Sequence, residues 1–255
     1  MMNINIKQLT QIAVRAAKAA GEEIMKVYQS ADFGLEYKAD VSPLTKADKA
    51  AHKVIMEELE RTGIPVLSEE GRDIPYEERK SWEYFWMVDP LDGTKEFVKR
   101  NGEFTVNIAL IHKGMPIIGV LYAPVLKWMY WGNSIEGAWK QEGENMPSKL
   151  ELDKEAEVKT IVVSLSHQSQ ETKAFLEDYP DVDVINMGSS LKFMLLAENK
   201  AQIYPRFAPT MEWDTAAAHA ILLSLGADVC RIPEKDSLVY NKENLLNPFF
   251  IARVR

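Results

Sequence analysis

Hydrophobic positions near the start of the chain recur at the spacing of amphipathic helices. Apolar side chains repeat every three or four residues over positions 7–29, and a second such stripe begins after Thr45 and ends before Gly63 and Pro65. This period places the apolar side chains on one face of a helix, and glycine or proline is common just past a helix end. The pattern therefore predicts two long helices.

From residue 64 the pattern changes to short runs rich in β-branched and aromatic residues. Clusters of Gly, Pro, Asn and Asp separate the runs, which cover residues 64–67, 84–88, 104–111, 115–123 and 127–131. Alternating apolar positions and short turns are typical of strands joined as hairpins. We therefore expect helices packed on a mostly antiparallel sheet.

A charged stretch over residues 141–157 is poor in large apolar side chains and marks a candidate boundary. We divide the chain there into an α+β unit, residues 1–145, and an α/β unit, residues 146–255. In the second unit the alternation of strands and helices is typical of α/β folds. Its predicted elements are strands at 159–163, 182–185, 201–204 and 248–252 and helices at 170–178, 190–198 and 213–225.

Composition and charge exclude several classes of protein. The 255 residues include 38 Asp and Glu against 30 Lys and Arg, a formal net charge of −8. This acidity argues against binding of nucleic-acid polymers, and the single Cys230 excludes an internal disulfide or a zinc site of several cysteines. Without a leader or a long apolar run, we expect a cytoplasmic protein, with peripheral membrane association left open.

The segment at residues 86–97, WMVDPLDGTKEF, carries the most informative chemistry. Asp89 ends an apolar strand, and Asp92 follows three residues later. Both carboxylates and the Leu91 carbonyl can converge on one hard cation such as Mg2+. From this segment alone, an ordinary turn with solvated acids is the alternative, because turns favour the same residues.

Three further acids follow predicted element ends. Glu69 comes directly after a short apolar strand, and Asp214 stands at the start of an Ala-rich helix, where it can also act as an N-cap. Asp48 lies three residues after Thr45, a spacing that also fits a capping box. Each acid has a structural explanation when it is taken singly.

A rival interpretation is a phosphatase of the haloacid dehalogenase type, whose nucleophilic Asp belongs to an Asp-x-Asp-Gly-Thr motif. In this chain two residues separate Asp89 from Asp92, and the first half lacks the strand-helix alternation of a parallel sheet. The pattern therefore disfavours an aspartyl nucleophile.

Several motifs, in a fixed order, resemble the magnesium-dependent, lithium-sensitive phosphatases related to inositol monophosphatase. They are Ser68-Glu69-Glu70, Asp89-Pro90-Leu91-Asp92-Gly93-Thr94 and Trp213-Asp214-Thr215-Ala216-Ala217. Residues 95–97, 100–107 and 188–193 resemble, within that superfamily, the CysQ-type 3′(2′),5′-bisphosphate nucleotidases. The likeness spans nearly the whole chain and implies a layered αβαβα sandwich.

The resemblance implies a role for each matching residue. Two or three Mg2+ ions would be held by Glu69, Asp89, the Leu91 carbonyl, Asp92 and Asp214. Asp48 and Thr94, with Glu69, would activate the attacking water. The substrate-binding residues would be Glu69, Leu91, Asp92, Gly93, Thr94, His167, Ser189, Lys192, Arg206 and Asp214.

Some of the substrate-binding roles have structural alternatives. Ser189 and Ser190 can cap a helix, and Lys192 can be a solvated helix charge. His167 or Tyr204 would lie near the nucleoside, and Tyr204 can instead be a core residue. Ser164 and Ser166 are further candidates for substrate contacts.

The implied activity is hydrolysis of the 3′-phosphate of adenosine 3′,5′-bisphosphate to AMP and phosphate, in support of sulfur assimilation. The 5′-phosphosulfate analogue is a second expected substrate. The alternatives are an inositol or fructose-1,6-bisphosphate phosphatase and, least favoured, a non-catalytic nucleotide- or metal-binding protein. We expect a monomer or homodimer that acts on a small nucleotide.

Overall fold

The computed structural model describes residues 4–30, 34, 36–37, 43–164 and 169–254. Among them, no helix combines the length and the apolar character that crossing a membrane requires. The helices are α1 (Ile6–Tyr28), α2 (Lys46–Leu59, extended by a 3-10 turn at Glu60–Thr62), α3 (Tyr76–Arg79), α4 (Thr94–Val98), α5 (Gln170–Glu177), α6 (Leu191–Ala197) and α7 (Glu212–Leu225).

The strands of the first half form a seven-stranded sheet in sequence order, preceded by the short antiparallel pair β1 (Glu36–Tyr37) and β2 (Pro43–Leu44). Only β3 and β4 pair in parallel, which confirms the expected mostly antiparallel sheet. The sheet contains β3 (Val66–Ser68), β4 (Tyr84–Asp92), β5 (Thr105–His112), β6 (Met115–Ala123), β7 (Trp128–Asn133), β8 (Gly137–Glu142) and β9 (Ser148–Lys149).

A five-stranded sheet forms from the second half. Its spatial order is β11-β10-β12-β14-β13, with β10 parallel to both neighbours and β14 antiparallel to β12 and β13. Strand β14, the last of these strands in the sequence, therefore occupies an interior position. The strands are β10 (Thr160–Ser164), β11 (Asp183–Met187), β12 (Ile203–Arg206), β13 (Ala227–Arg231) and β14 (Phe250–Val254).

Three apolar cores stack these elements into five layers. One core joins α1 and α2 to one face of the seven-stranded sheet, and a second joins the other face to α6, α7 and the five-stranded sheet. A third core packs α5 on the outer face of the five-stranded sheet. Because helices and sheets alternate through the stack, the predicted αβαβα sandwich is confirmed.

Helix α7 lies in the middle layer and is buried along most of its length. It approaches β6 so closely that a Cβ atom at Gly119 would lie 2.0 Å from the Ala217 carbonyl oxygen. Glycine permits this contact because it has no side chain. The contact fixes α7 against the first sheet, and with it the acid near the start of the helix.

Several elements were absent from the sequence-based expectations. Strand β8 has a buried lysine, Lys140, whose ammonium lies 3.0 Å from a Glu198 carboxylate oxygen, so its polar pattern conceals a strand. Strands β9 and β13 and the short helices α3 and α4 were also not predicted. Strand β9 pairs with β8, so one sheet continues across the proposed boundary at residue 145. The division of the chain there stays a prediction.

Candidate active site

Three carboxylates from two layers of the sandwich meet at one end of the seven-stranded sheet. Oxygens of Asp89, Asp92 and Asp214 all lie within 4.8 Å of one another. The register between β4 and β5 shifts between Asp89 and Asp92, and the Leu91 amide donates to Asp89 Oδ1 at 3.0 Å. This irregularity lets two acids of one strand face the same site, while Asp214 comes from the first turn of α7.

Electrostatic repulsion and burial make this cluster unfavourable in its fully ionised form. Burial raises the pKa of Asp89 well above its usual range, and the charges of Glu69, Asp92 and Asp214 raise it further. The Asp89 carboxyl also hydrogen bonds with Glu69. Burial raises the pKa of Asp214 as well, followed by the charges of Asp92 and Glu69. A bound cation would remove this repulsion.

The chemistry of the donor atoms fits a hard divalent cation. Glu69, Asp89, Asp92 and Asp214 contribute carboxylate oxygens, and the Leu91 carbonyl oxygen accepts from the Thr94 hydroxyl at 3.3 Å. Oxygen ligands of this kind suit Mg2+, Ca2+ or Mn2+, whereas zinc and copper sites commonly use imidazole or thiolate. The acids predicted to hold metal are thus brought together.

Asp48 combines a capping role with a position next to the acid cluster. Its Oδ2 accepts hydrogen bonds from the Thr45 amide (2.8 Å) and hydroxyl (2.6 Å), which confirms the capping-box geometry. Its Oδ1 lies 3.5 Å from the Thr94 hydroxyl. Burial raises the pKa of Asp48 to about 6, although the Thr45 hydrogen bonds lower it. A carboxylate with a pKa near neutrality suits a general base.

A cavity of about 140 Å³ opens beside Asp92 and Asp214. Lys192, which lines it, is buried, donates to the carbonyls of Ser189 and Met187, and lies 5.3 Å from the centre of the Tyr204 ring. Burial lowers the pKa of Lys192 to about 8. The cavity is also lined by Gly93, Lys95, Ser164, Gly188, Ser189, Ser190, Arg206 and Thr210.

Arg206 offers an unused donor at this cavity. Its Nη2 donates to the Pro209 carbonyl at 3.2 Å, whereas its buried Nε has no hydrogen-bond partner among the residues that the structure describes. An unsatisfied buried donor is costly unless an acceptor binds there. Arg206 therefore provides a point of attachment for an anion.

Predicted substrate-binding residues differ in how the structure places them. Ser189, Lys192 and Arg206 line the cavity with Gly93, while Ser166 and His167 lie outside the described residues. Lys192 is buried and not a solvated helix charge, and Ser190 is the residue that precedes α6 as its N-cap, in place of Ser189. Tyr204 both lines the cavity and packs against Phe193 and Phe250.

Two residues that contact the acid cluster were missed by the sequence analysis. Ser190 donates its amide and its hydroxyl to Asp92 Oδ2 at 2.7 and 2.8 Å. Asn107 lies on β5, with its Nδ2 3.5 Å from the same oxygen. A lone amide within the apolar run of β5 is a signal that could have identified Asn107, because a polar side chain in a buried strand needs a partner.

The start of α7 is held by a second set of buried polar contacts. The carboxylate of Glu212, which is fully buried, accepts hydrogen bonds from the Asn241 and Lys242 amides at 2.6 and 3.0 Å. Buried Arg79 donates to the Asn241 side chain and to the carbonyls of Lys242 and Glu243 at 2.7–2.9 Å. These contacts tie the segment after Glu69 to the helix that carries Asp214.

Comparison with known proteins agrees with this geometry. The model of the inositol monophosphatase family matches residues 5–249. The 3′(2′),5′-bisphosphate nucleotidase CysQ of Salmonella typhimurium is 48% identical over 251 residues, which are 96% of this chain and 98% of that relative. The crystal structure of CysQ from Bacteroides thetaiotaomicron shares 44% identity, with a TM-score of 0.90 and coverage of 99% of both chains.

The inositol monophosphatase structure of Thermotoga maritima shares the fold, with a TM-score of 0.80 at 19% identity, over 97% of this chain and 92% of that one. Family match, identity and fold coincide over nearly the full length. The chain therefore belongs to the inositol monophosphatase family, and it is a phosphatase.

Proposed function

We propose that the protein is a magnesium-dependent 3′(2′),5′-bisphosphate nucleotidase. It releases the 3′-phosphate of adenosine 3′,5′-bisphosphate, giving AMP and phosphate, and accepts the 5′-phosphosulfate analogue. The observation that carries this proposal is the cavity beside the acid cluster, where Lys192 and the unpaired Nε of Arg206 provide positive charge. A substrate with two phosphates would place one at the acids and the other at these cations. The names of the 48% and 44% identical relatives support it.

The reaction divides between the acid cluster and the pair Asp48 and Thr94. Glu69, Asp89, the Leu91 carbonyl, Asp92 and Asp214 would hold two or three Mg2+ ions. Bound Mg2+ neutralises the phosphate and makes a water more acidic. Asp48, whose pKa is about 6, accepts the proton of the attacking water, and the Thr94 hydroxyl, 3.5 Å away, orients that water.

The cationic side of the cavity selects the substrate. Arg206 and Lys192 bind the phosphate that is not cleaved, and this contact aligns the other phosphate for in-line attack. Ser189 lies at the boundary between the two subsites, since its hydroxyl donates to Asp92 and its carbonyl accepts from Lys192. His167 is proposed to lie near the nucleoside.

A substrate panel in a magnesium titration tests the proposed function. Phosphate release is measured from adenosine 3′,5′-bisphosphate, its phosphosulfate analogue, inositol 1-phosphate and fructose 1,6-bisphosphate, with Asp89→Asn beside the native protein. We expect the highest kcat/KM for the bisphosphorylated nucleotide and none for the variant.

Four outcomes would contradict the proposal or a part of it. Preference for inositol or fructose phosphates would move the protein to another activity of the family, and magnesium binding without any turnover would indicate a binding protein. Full activity of Asp89→Asn with unchanged magnesium demand would contradict the metal assignment. A phosphoaspartate trapped during turnover would contradict direct attack by water.

The setting of this activity is also part of the proposal. Removal of the nucleotide by-product would support sulfur assimilation, in the cytoplasm. The protein would act there on small nucleotides as a monomer or homodimer. Sedimentation of the native protein tests the oligomeric state.

A further inference from the structure

The two carboxylate oxygens of Asp92 have different surroundings. Oδ2 accepts from the Ser189 hydroxyl at 2.6 Å, the Ser190 amide at 2.7 Å and the Ser190 hydroxyl at 2.8 Å. A carboxylate oxygen offers about two lone-pair sites, so these donors saturate Oδ2. These hydrogen bonds leave Oδ1 as the oxygen available to a cation.

Ser190 connects this carboxylate to the second layer of the site. Its hydroxyl oxygen lies 2.6 Å from the main-chain carbonyl oxygen of Asp214, so one side chain touches two of the clustered acids. Because a hydroxyl has a single proton, the Ser190 proton is shared between Asp92 Oδ2 and the Asp214 carbonyl. Ser190 thereby couples the end of β4 to the first turn of α7.

Asn107 fixes the orientation of the Ser190 hydroxyl. Its Nδ2 donates to Ser190 Oγ at 3.0 Å, and its Oδ1 accepts from the Thr105 hydroxyl at 3.0 Å. Asn107 and Ser190 are 1% and 2% exposed, so solvent does not compete for these hydrogen bonds. With the amide donating to its oxygen, the hydroxyl is left to point its proton at Asp92 or Asp214.

We infer that Ser190 and Asn107 are positioning residues that hold Asp92 as a single-oxygen ligand at a fixed distance from Asp214. The inference rests on the proposed function in taking the acid cluster as the magnesium site. Partners that hydrogen bond to a metal ligand commonly contribute about 10–100-fold to metal affinity. Loss of the Ser190 hydroxyl would remove one of the three donors described above for Oδ2, together with the link to the Asp214 carbonyl, and would loosen the Asp92–Asp214 spacing.

Metal binding without turnover provides the test. Mn2+ is titrated into native protein, Ser190→Ala and Asn107→Leu, and the unbound ion is counted by electron paramagnetic resonance. We expect Ser190→Ala to weaken Mn2+ binding about 10-fold or more, as expected for lost support of a ligand, and Asn107→Leu to act in the same direction. The magnesium concentration for half-maximal activity rises in parallel, while KM at saturating magnesium changes less than about 2-fold.

Ser224→Ala is the matched control. Ser224 lies on the same helix as Asp214, at its other end, and donates to the Ile221 carbonyl at 2.7 Å, so the variant also removes a hydroxyl bound to a carbonyl. It should keep native Mn2+ affinity. A large rise in KM at saturating magnesium, with unchanged Mn2+ affinity, would identify Ser190 as a substrate contact and overturn the inference.

The outcomes separate this inference from the proposed function. Native Mn2+ affinity in Ser190→Ala overturns the positioning role alone, whereas a native protein that binds no Mn2+ overturns the positioning role and the metal site together. A nucleotide preference that differs from the proposed one leaves the Mn2+ result fully informative. If Ser190→Ala does not fold, Asn107→Leu decides the question in the same titration.

Discussion

Carboxylate oxygens of Asp89 and Asp214 lie within 4.8 Å of each other, although Asp89 lies near the end of strand β4 and Asp214 in the first turn of helix α7. No single element could supply this arrangement, because it needs a sheet edge and a helix from the neighbouring layer. Burial and mutual repulsion raise the pKa of both acids. The folded protein therefore holds like charges together at a cost in stability that a cation would offset.

Asp89→Asn should stabilise the protein when metal is absent. The substitution removes one of the repelling charges, so we expect Tm in chelator to rise by about 2–4 °C, the shift that about 1 kcal/mol produces in a chain of this size. Added Mg2+ should raise Tm of the native protein and leave that of the variant nearly unchanged. Thermal unfolding with and without Mg2+ measures both effects.

The same acids predict how stability in chelator depends on pH. A raised pKa means that the folded state binds protons more tightly than the unfolded chain. Stability of the native protein should therefore fall as pH rises from about 4, the usual pKa of an unfolded Asp, and Asp89→Asn should show a shallower fall. A steeper fall in the variant would contradict the raised pKa of Asp89.

Protonation of Asp48 should reduce activity at acidic pH, which gives the pH profile an acidic limb. Since its pKa is about 6 and the base must be ionised, activity at saturating Mg2+ should rise as pH increases through about 6. Asp48→Asn should lower kcat by about 10²–10⁴-fold, as expected for loss of a general base, without changing the magnesium requirement. A pH profile of kcat checks the first expectation, and a magnesium titration checks the second.

Thr45→Val provides a sharper version of this test. The Thr45 hydroxyl lowers the pKa of Asp48 through its hydrogen bond, so its removal should move the acidic limb to higher pH. Loss of this N-cap should also cost about 1 kcal/mol of stability. An unmoved limb in a variant that folds would show that another group controls the profile.

Arg206→Met should weaken binding of the substrate that carries two phosphates. Hydrogen bonds to charged groups contribute about 1.5–3 kcal/mol, so KM for adenosine 3′,5′-bisphosphate should rise about 10–100-fold. KM for 3′-AMP, which lacks the second phosphate, should stay within about 2-fold of the native value, since it loses no such bond. Steady-state kinetics on both substrates provide the comparison.

Arg253→Met is the control for that experiment, because Arg253 is an exposed arginine on the adjacent strand β14. It should leave both KM values unchanged. Equal losses on the mono- and the bisphosphate in Arg206→Met would assign Arg206 to the cleaved phosphate.

Arg79→Met should reduce stability strongly. The substitution removes three hydrogen bonds of 2.7–2.9 Å from a buried side chain and leaves the carbonyls of Lys242 and Glu243 without this donor. We expect the free energy of unfolding to fall by about 3 kcal/mol, measured from the urea midpoint. Arg72→Met removes an exposed arginine paired with Glu78 and should change the midpoint little.

The sequence predicted the elements and acids whose signals are local. The stripe of α1 and the strands from β3 to β7 follow from periodicity, and the acids of residues 89–92 follow from their motif. Ser190 could not be placed next to Asp92 or Asn107, because these contacts join residues 98 and 83 positions apart. Strand β8 was not predicted, because its buried lysine, Lys140, pairs with Glu198, which lies on another element.

Resemblance, and not periodicity, supplied the five-layer order and the roles of single residues. The capping box at Asp48 shows the limit of local reasoning, since the same three-residue spacing serves a helix start and a contact with Thr94. The packing of α2 against the end of β4 brings Asp48 to Thr94, and this packing cannot be read from the local sequence. The proposed position of the second phosphate likewise depends on the Arg206 Nε, which has no partner among the described residues, a property that no sequence pattern reveals.

The interior position of β14 has a consequence for synthesis of the protein. Residues 250–254 pair between β12 and β13, which are synthesised earlier. The five-stranded sheet therefore cannot be completed until these residues are available. Helix α7, which carries Asp214, packs against that sheet. A chain that lacks β14 would therefore lack a rigid support for Asp214, even if Asp89, Asp92 and Asp214 were all present. The complete five-stranded sheet therefore depends on residues 250–254, and deleting them would remove an interior strand.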